Sequence, residues 1–462
     1  MSQVPPPPGN GQSWEDMLRS VLGDGADEVL AEMRARGIDP STLGGAADPM
    51  MMQQALAQVQ RLLSEPGTGP VNADVAHDIA RQFAVAEGGD PSLTGGQARA
   101  VTDALSVAEL WLDVVTDLPP AGGGSRAWSR SEWVEATLPA WNALAAPVAA
   151  SVSDALATVL HDQLPDGVED GVPLPGMPSG VLAGLGGIDP AQMMRRLGSA
   201  VFGMQVGQAA GTLSREVFGA TDIGVPLLHD SQTVLLPTNV AAFAEGLDAP
   251  LDEVRLFLAL RESAHARLFT HVHWLRAHLL GLVEQYAHGI TIDLSALESQ
   301  MQDIDLADPD ALRRALSGGV FGLQNTEAQR ETLLRLETVL ALVEGWVDEV
   351  TATAALPHLP HAVPLREMMR RRRAAGGPAE QTFSTLVGLE LRPRRSRDAA
   401  KLFAIVTREG GPEARDAVWA HPDLLPGTAD LDDPSGYLGR RAALAAEHAD
   451  VDAAIEEILG EE

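Results

Sequence analysis

The sequence predicts a mainly α fold with a minor β element, and three observations carry that expectation. The 462 residues are 45% apolar but only 4% aromatic, so the core must rest on Leu, Val, Ala and Met, a set that leans helical. Apolar residues recur at helical spacing through most of the chain. That period breaks between 221 and 237, where short apolar runs alternate with Gly and Pro.

Residues 1–12 are proline-rich and read as a disordered, polyproline-like tail. Residues 13–162 read as an N-terminal helical region. Ser13-Trp14-Glu15-Asp16 resembles a helix start, and Gly23, Gly37 and Asp39-Pro40 punctuate the helices that follow. Segments 72–86 and 96–117 are helical in period, the second ending at Leu118-Pro119-Pro120. A Gly-rich loop over 121–125 precedes a short helix opening at Ser129, and a longer helix covers 141–162 with Pro147 as a kink.

Residues 163–188, rich in Gly, Pro and Asp, form the best internal boundary or a long surface loop. Residues 189–462 make the second helical region. Its first helix, 189–218, carries Gly203, Gly207 and Gly211 on one face, which suits close approach of a neighbouring backbone. Segments 223–228 and 233–236 read as two short strands of a small hairpin. Helices resume over 250–288, 293–303, 309–316, 326–355, 363–374, 397–409 and 434–459.

The formal net charge of -31 argues against nucleic acid and against an anionic membrane surface as partners. The absence of cysteine excludes disulfides, thiolate metal sites and a cysteine nucleophile. No apolar run reaches membrane-spanning length and no secretory signal is present, so the expectation is a soluble cytoplasmic protein. The charge leaves a peptide or protein partner open and is silent on oligomeric state. There is no Gly-x-Ser-x-Gly elbow, no phosphate-binding loop and no dinucleotide fingerprint.

The chemistry-bearing stretch is Arg261-Glu262-Ser263-Ala264-His265. In the His-Glu-x-x-His pattern, two imidazoles one turn apart hold zinc and the Glu between them activates water. Here the Glu and the second His stand in place, and arginine occupies the first position. Downstream, Glu344 and Asp348 lie at i and i+4 within an apolar helical run. A buried acid there needs a cation, so Arg261 pairing with Glu344 or Asp348 is one physical reading. Arg370 to Arg373, with Arg392, Arg394, Arg395 and Arg397, form the one basic zone. It reads either as a helix end with intramolecular ion pairs or as a site for an acidic or phosphate-bearing partner.

These residues, with Gln205-Val206-Gly207-Gln208, the 219–227 segment and Glu344-Gly345-Trp346, resemble a zincin-like hydrolase family of bacterial proteins. That family was long grouped as a domain of unknown function, and one branch is associated with the deazaflavin coenzyme pathway. The resemblance spans roughly 130–435. It implies a zincin-like helical domain, hydrolysis of peptide bonds, Glu262 as general base, and His265 and Glu344 as zinc ligands, with Asp348 in support. Arg261 departs from the pattern, because a guanidinium offers donors only.

Three expectations therefore stay open. Zinc is held by His265, Glu344 and a substitute residue such as His271, and the protein is a peptidase. Alternatively, zinc is absent, Arg261 supplies its charge, and the chain is a non-catalytic binding or scaffold protein. In the third, His265 is a satisfied core histidine of an unrelated helical protein.

Overall fold

A computed structural model of the chain describes residues 69–86, 88–163, 190–288, 326–374, 395–444 and 446–447. The tail expected over 1–12, most of the loop expected over 163–188 and the helices expected over 293–303 and 309–316 lie outside these residues. So do Arg392 and Arg394.

The described elements are mainly helical. They are α1 (Ala73–Val85), α2 (Gly95–Leu112), β1 (Ser125–Ala127), α3 (Arg130–Gln163), α4 (Pro190–Leu213), β2 (Thr233–Leu235), α5 (Pro237–Ala244), α6 (Leu251–His271), α7 (Leu275–His288), α8 (Glu327–Ala355), α9 (Ala362–Ala374), α10 (Ser396–Asp416) and α11 (Thr428–Asp432). Local chemistry accounts for several starts. Asn72 Oδ1 accepts the Val75 amide at the head of α1. Thr94 with Gln97, and Thr326 with Gln329, build reciprocal capping boxes at the heads of α2 and α8. Pro237 occupies the first turn of α5, where its missing N–H costs nothing.

The chain divides into two compact units, one of residues 1–70, 149–201 and 291–324, the other of 71–148, 202–290 and 325–462. In the first, Gly198 lies against Ser153, and Ser199 donates to the Gly69 carbonyl at 2.9 Å. The second unit holds the candidate site. There α6 packs against α2 and α8, and α8 packs against α10. Its core includes the fully buried Trp133, Trp141, Trp346, Phe257 and Phe403. Gly207 and Gly211 of α4 lie so close to α1 that a Cβ would come within 2.5 Å of the Ala76 and Ala80 carbonyls.

Three expectations need correction. The short helix near 129 and the helix over 141–162 are one helix, α3, with Pro139 and Pro147 inside it. The single helix expected over 250–288 is two, broken at Val272, whose ψ of 78° leaves the helical region. The hairpin does not form either. Segment 223–228 carries no strand, and β2 pairs instead in parallel with β1, Arg126 opposite Val234. Gly219 adds one antiparallel bridge to Leu235 on the other side of β2. Among the described residues, no helix is long and apolar enough to cross a membrane.

Candidate functional site

The middle of helix α6 is enclosed from every side. All residues from Phe257 to Leu268 are buried, including Arg261, Glu262, His265 and Arg267. A helix surrounded in this way is ordinarily apolar throughout. Here each of these charged or imidazole groups must find partners inside, because an unpaired buried charge costs several kcal/mol.

Arg261 finds Glu344. Its Nη2 donates to Glu344 Oε2 at 2.8 Å, with both side chains over nine-tenths buried. The other carboxylate oxygen is shared. His265 Nε2 lies 3.2 Å from Oε1, and Arg373 Nη2 reaches the same atom at 2.8 Å as an ion pair without a directed hydrogen bond. Burial alone would raise the Glu344 pKa, but Arg373 and Arg261 outweigh it and hold the carboxyl well below its usual range. Burial pushes the His265 imidazole down against the pull of Glu344. A neutral ring carries one N–H, and two acceptors stand in reach: Glu344, and the Arg261 carbonyl at 2.9 Å from Nδ1.

Glu262 is held by different chemistry. Oε1 accepts from the Ala220 amide at 3.0 Å and the Val234 amide at 3.2 Å. Oε2 accepts from the Thr221 amide at 3.1 Å and the Thr221 hydroxyl at 2.6 Å. The carboxylate thus joins the 219–221 segment to β2 and satisfies a strand amide that β1 does not reach. Burial pushes its pKa up to about 7, against the lowering effect of these four donors. Gly219 lies beneath the Glu262 carboxylate where a Cβ would collide, and its carbonyl accepts from Trp133 Nε1 at 3.1 Å.

Asp348 does not meet Arg261. One turn beyond Glu344, it takes Arg366 at 2.7 Å and Arg370 at 2.6 Å, both from α9. Asp222 joins from the 219–224 segment, pairing with Arg372 at 3.1 Å and Arg373 at 3.7 Å. Burial would raise its pKa, and Arg372, Arg373 and Arg261 lower it instead. The segment closes on Gly224, whose φ of 77° suits glycine and whose Cα faces Glu344. Gly345 lets α10 approach, since a Cβ there would come within 2.5 Å of Ala399. Trp346 turns away and donates to Asp416 at 2.8 Å.

The structure therefore brings Arg261, His265 and Glu344 together and gives Glu262 and Asp348 separate partners. Sequence reasoning missed Arg373 and Asp222 as members of the cluster. The signal was present, because Arg366, Arg370 and Arg373 fall at i, i+4 and i+7 on one face of α9. His271 instead lies 3.2 Å from the Pro120 carbonyl. His361 meets Glu253 at 3.0 Å, and His358 stacks on Trp111.

The donor set does not fit zinc. Among the described residues, no group of three or more His, Asp or Glu side chains is placed to hold a metal. The 3.2 Å between His265 Nε2 and Glu344 Oε1 is a separation that two ligands of one ion can share. However, guanidinium groups contact both Glu344 oxygens, and the position of the remaining motif ligand is itself an arginine.

Comparison with known proteins places the chain in a family. No curated protein matches the chain. A crystal structure of a "putative hydrolase with a novel fold" from Chloroflexus aurantiacus superimposes with a TM-score of 0.53 at 17% identity, covering 80% of this chain and 99% of that one. At that identity the likeness is one of fold. The family model for zincin-like metallopeptidases matches residues 71–438. This chain belongs to the zincin-like metallopeptidase family.

Proposed function

We propose that this chain is a non-catalytic member of its family, a binding or scaffold protein in which Arg261 stands in for the metal. The observation that carries this reading is the buried Arg261–Glu344 pair at 2.8 Å, reinforced by Arg373 on the opposite oxygen. Two fixed cations supply the charge that a divalent ion would supply to that carboxylate. The space beside the motif supports the same conclusion. Two clefts lined by Arg261 measure about 20 and 10 Å³, room for little more than a water beside the motif. Its partner, on this reading, is a peptide or protein met in the cytoplasm, since a net charge of -31 disfavours nucleic acid and anionic membranes.

The second reading is a zinc-dependent hydrolase of peptide bonds, favoured by family membership and by the spacing of His265 and Glu344. It requires Arg261 and Arg373 to leave Glu344, and Glu262 to release a donor before it can take a proton from water. Metal analysis of protein purified without a histidine tag separates the two. The proposal expects zinc far below one ion per chain, and Arg261→His to raise it. Near-stoichiometric zinc in the unaltered protein would overturn it.

A further inference from the structure

A separate cleft, of about 180 Å³, lies between the 226–232 segment and the C-terminal half of α6, with Arg276 of α7 in its wall. It shares Thr221 with the Glu262 cage but includes none of Arg261, His265, Asp222 or Glu344. An engineered cavity of about 150 Å³ already admits a benzene ring. This volume therefore suits a small organic molecule rather than isolated waters.

Arg276 is the arginine of this cleft. Its half-buried guanidinium makes one hydrogen bond, from Nη1 to the Leu228 carbonyl, and has no ion-pair partner among the described residues. Arg130 and Arg441 likewise have no carboxylate partner among the described residues, but neither lines this cleft. Arg261, Arg267, Arg366, Arg370, Arg373 and Arg415 each have a carboxylate. Nε and Nη2 of Arg276 are left to offer a bidentate face to an oxyanion. Nearby, Gln232 Oε1 is buried without a donor, while its Nε2 is committed to Asp230 at 3.2 Å. Phe269, Pro226 and Leu228 supply apolar surface.

The wall is held in place before any ligand arrives. Gly123 donates to the Ser231 carbonyl at 3.3 Å, and a Cβ at Gly123 would come within 2.5 Å of that carbonyl carbon. Thr233 donates to the Gly124 carbonyl at 3.1 Å. The segment carrying Gln232 is thus fixed against the chain entering β1, which lowers the ordering cost of binding.

We propose that this cleft binds a small organic monocarboxylate of the N-acyl amino acid type, free or as the last residue of a peptide. The carboxylate sits on Arg276, an N–H of the ligand donates to Gln232 Oε1 once that side chain turns towards the cleft, and an apolar side chain lies against Phe269. One guanidinium matches one negative charge. Asp230 at the same cleft opposes any anion and a phosphate dianion about twice as strongly, with His229 the other lining residue able to carry positive charge. This inference stands whether or not zinc binds near Glu344.

The test is calorimetric titration of the full chain with N-acetyl-L-leucine, its carboxamide, inorganic phosphate and an acetylated tripeptide ending in leucine. The acid is expected to bind, with the carboxamide and phosphate weaker by about tenfold or more. A tripeptide tighter than the single residue assigns the site to peptide ends, and equal affinities assign it to free acids. Arg276→Gln should lose about tenfold or more in affinity. Thr270→Phe, which fills the cleft from α6 and leaves the guanidinium untouched, should abolish binding even if the arginine variant does not fold. Absence of binding by either acid, equal binding of the carboxamide, tighter binding of phosphate, or unchanged affinity in both variants would overturn the proposal.

Discussion

Glu262 and Glu344 are both buried carboxylates that α6 engages within one core, yet they are stabilised in opposite ways. Glu344 faces full charges, two guanidinium groups at 2.8 Å, and its pKa falls well below the usual range. Glu262 faces four donors but no cation, and burial carries its pKa up to about 7. The comparison separates two ways of burying an acid. Hydrogen bonds satisfy lone pairs and fix geometry, whereas a fixed positive charge is what keeps a desolvated carboxylate ionised.

The strongest way to break the comparison is Glu344→Ala. It leaves Arg261 and Arg373 buried beside a neutral imidazole, and urea unfolding should show a loss of about 4 kcal/mol. Arg261→Ala should cost less, about 3 kcal/mol, because Arg373 still contacts Oε1. Equal losses for the two variants would mean that Arg373 contributes nothing.

Glu262→Gln should cost about 2 kcal/mol, since its new amide N–H group must face backbone N–H donors. The same variant sharpens the electrostatic half of the comparison. With a folded pKa of about 7, raised above the ordinary 4.5, the Glu262 contribution is fully present below pH 4.5 and is lost as pH rises through 7. Stability of the unaltered protein relative to Glu262→Gln should therefore decline from pH 5 to pH 8. Glu344 has the reverse sign. Its contribution is present above the unfolded value and is lost as pH falls through its depressed folded pKa. A flat difference between pH 5 and 8 would mean that the four donors alone keep Glu262 ionised. The smallest effect belongs to Thr221→Val, which removes one of those donors and should cost about 1 kcal/mol by the same unfolding measurement.

A pairing of Arg261 with either Glu344 or Asp348 was readable from the sequence, because a cation and an acid that each sit within apolar helical runs have few other routes to neutrality; which of the two acids it meets was not. Asp348, the alternative partner, forms its ion pairs elsewhere for a geometric reason. One helical turn carries it about 5.4 Å along α8, from α6 towards the arginine face of α9. Glu262 misled in another way. Its motif position suggests a base beside water, but its partners come from the 219–221 segment and β2, and no helical periodicity encodes them. The helical fold class was legible from composition and spacing. The parallel pairing of β1 with β2 was not, because the partners Ser125 and Thr233 are over a hundred residues apart and local pattern favoured a hairpin.

That strand pair also bears on the order of folding. Pairing Arg126 with Val234 closes a long stretch of chain containing α3 and α4, and contacts of such high sequence separation form slowly. Until β2 is in place, the Val234 amide cannot reach Glu262, and α6 holds an acid lacking part of its cage. Helix α6 can therefore reach its native burial only after a non-local closure. Any partly folded state that collapses around it first must either protonate Glu262 or keep that face of the helix wet.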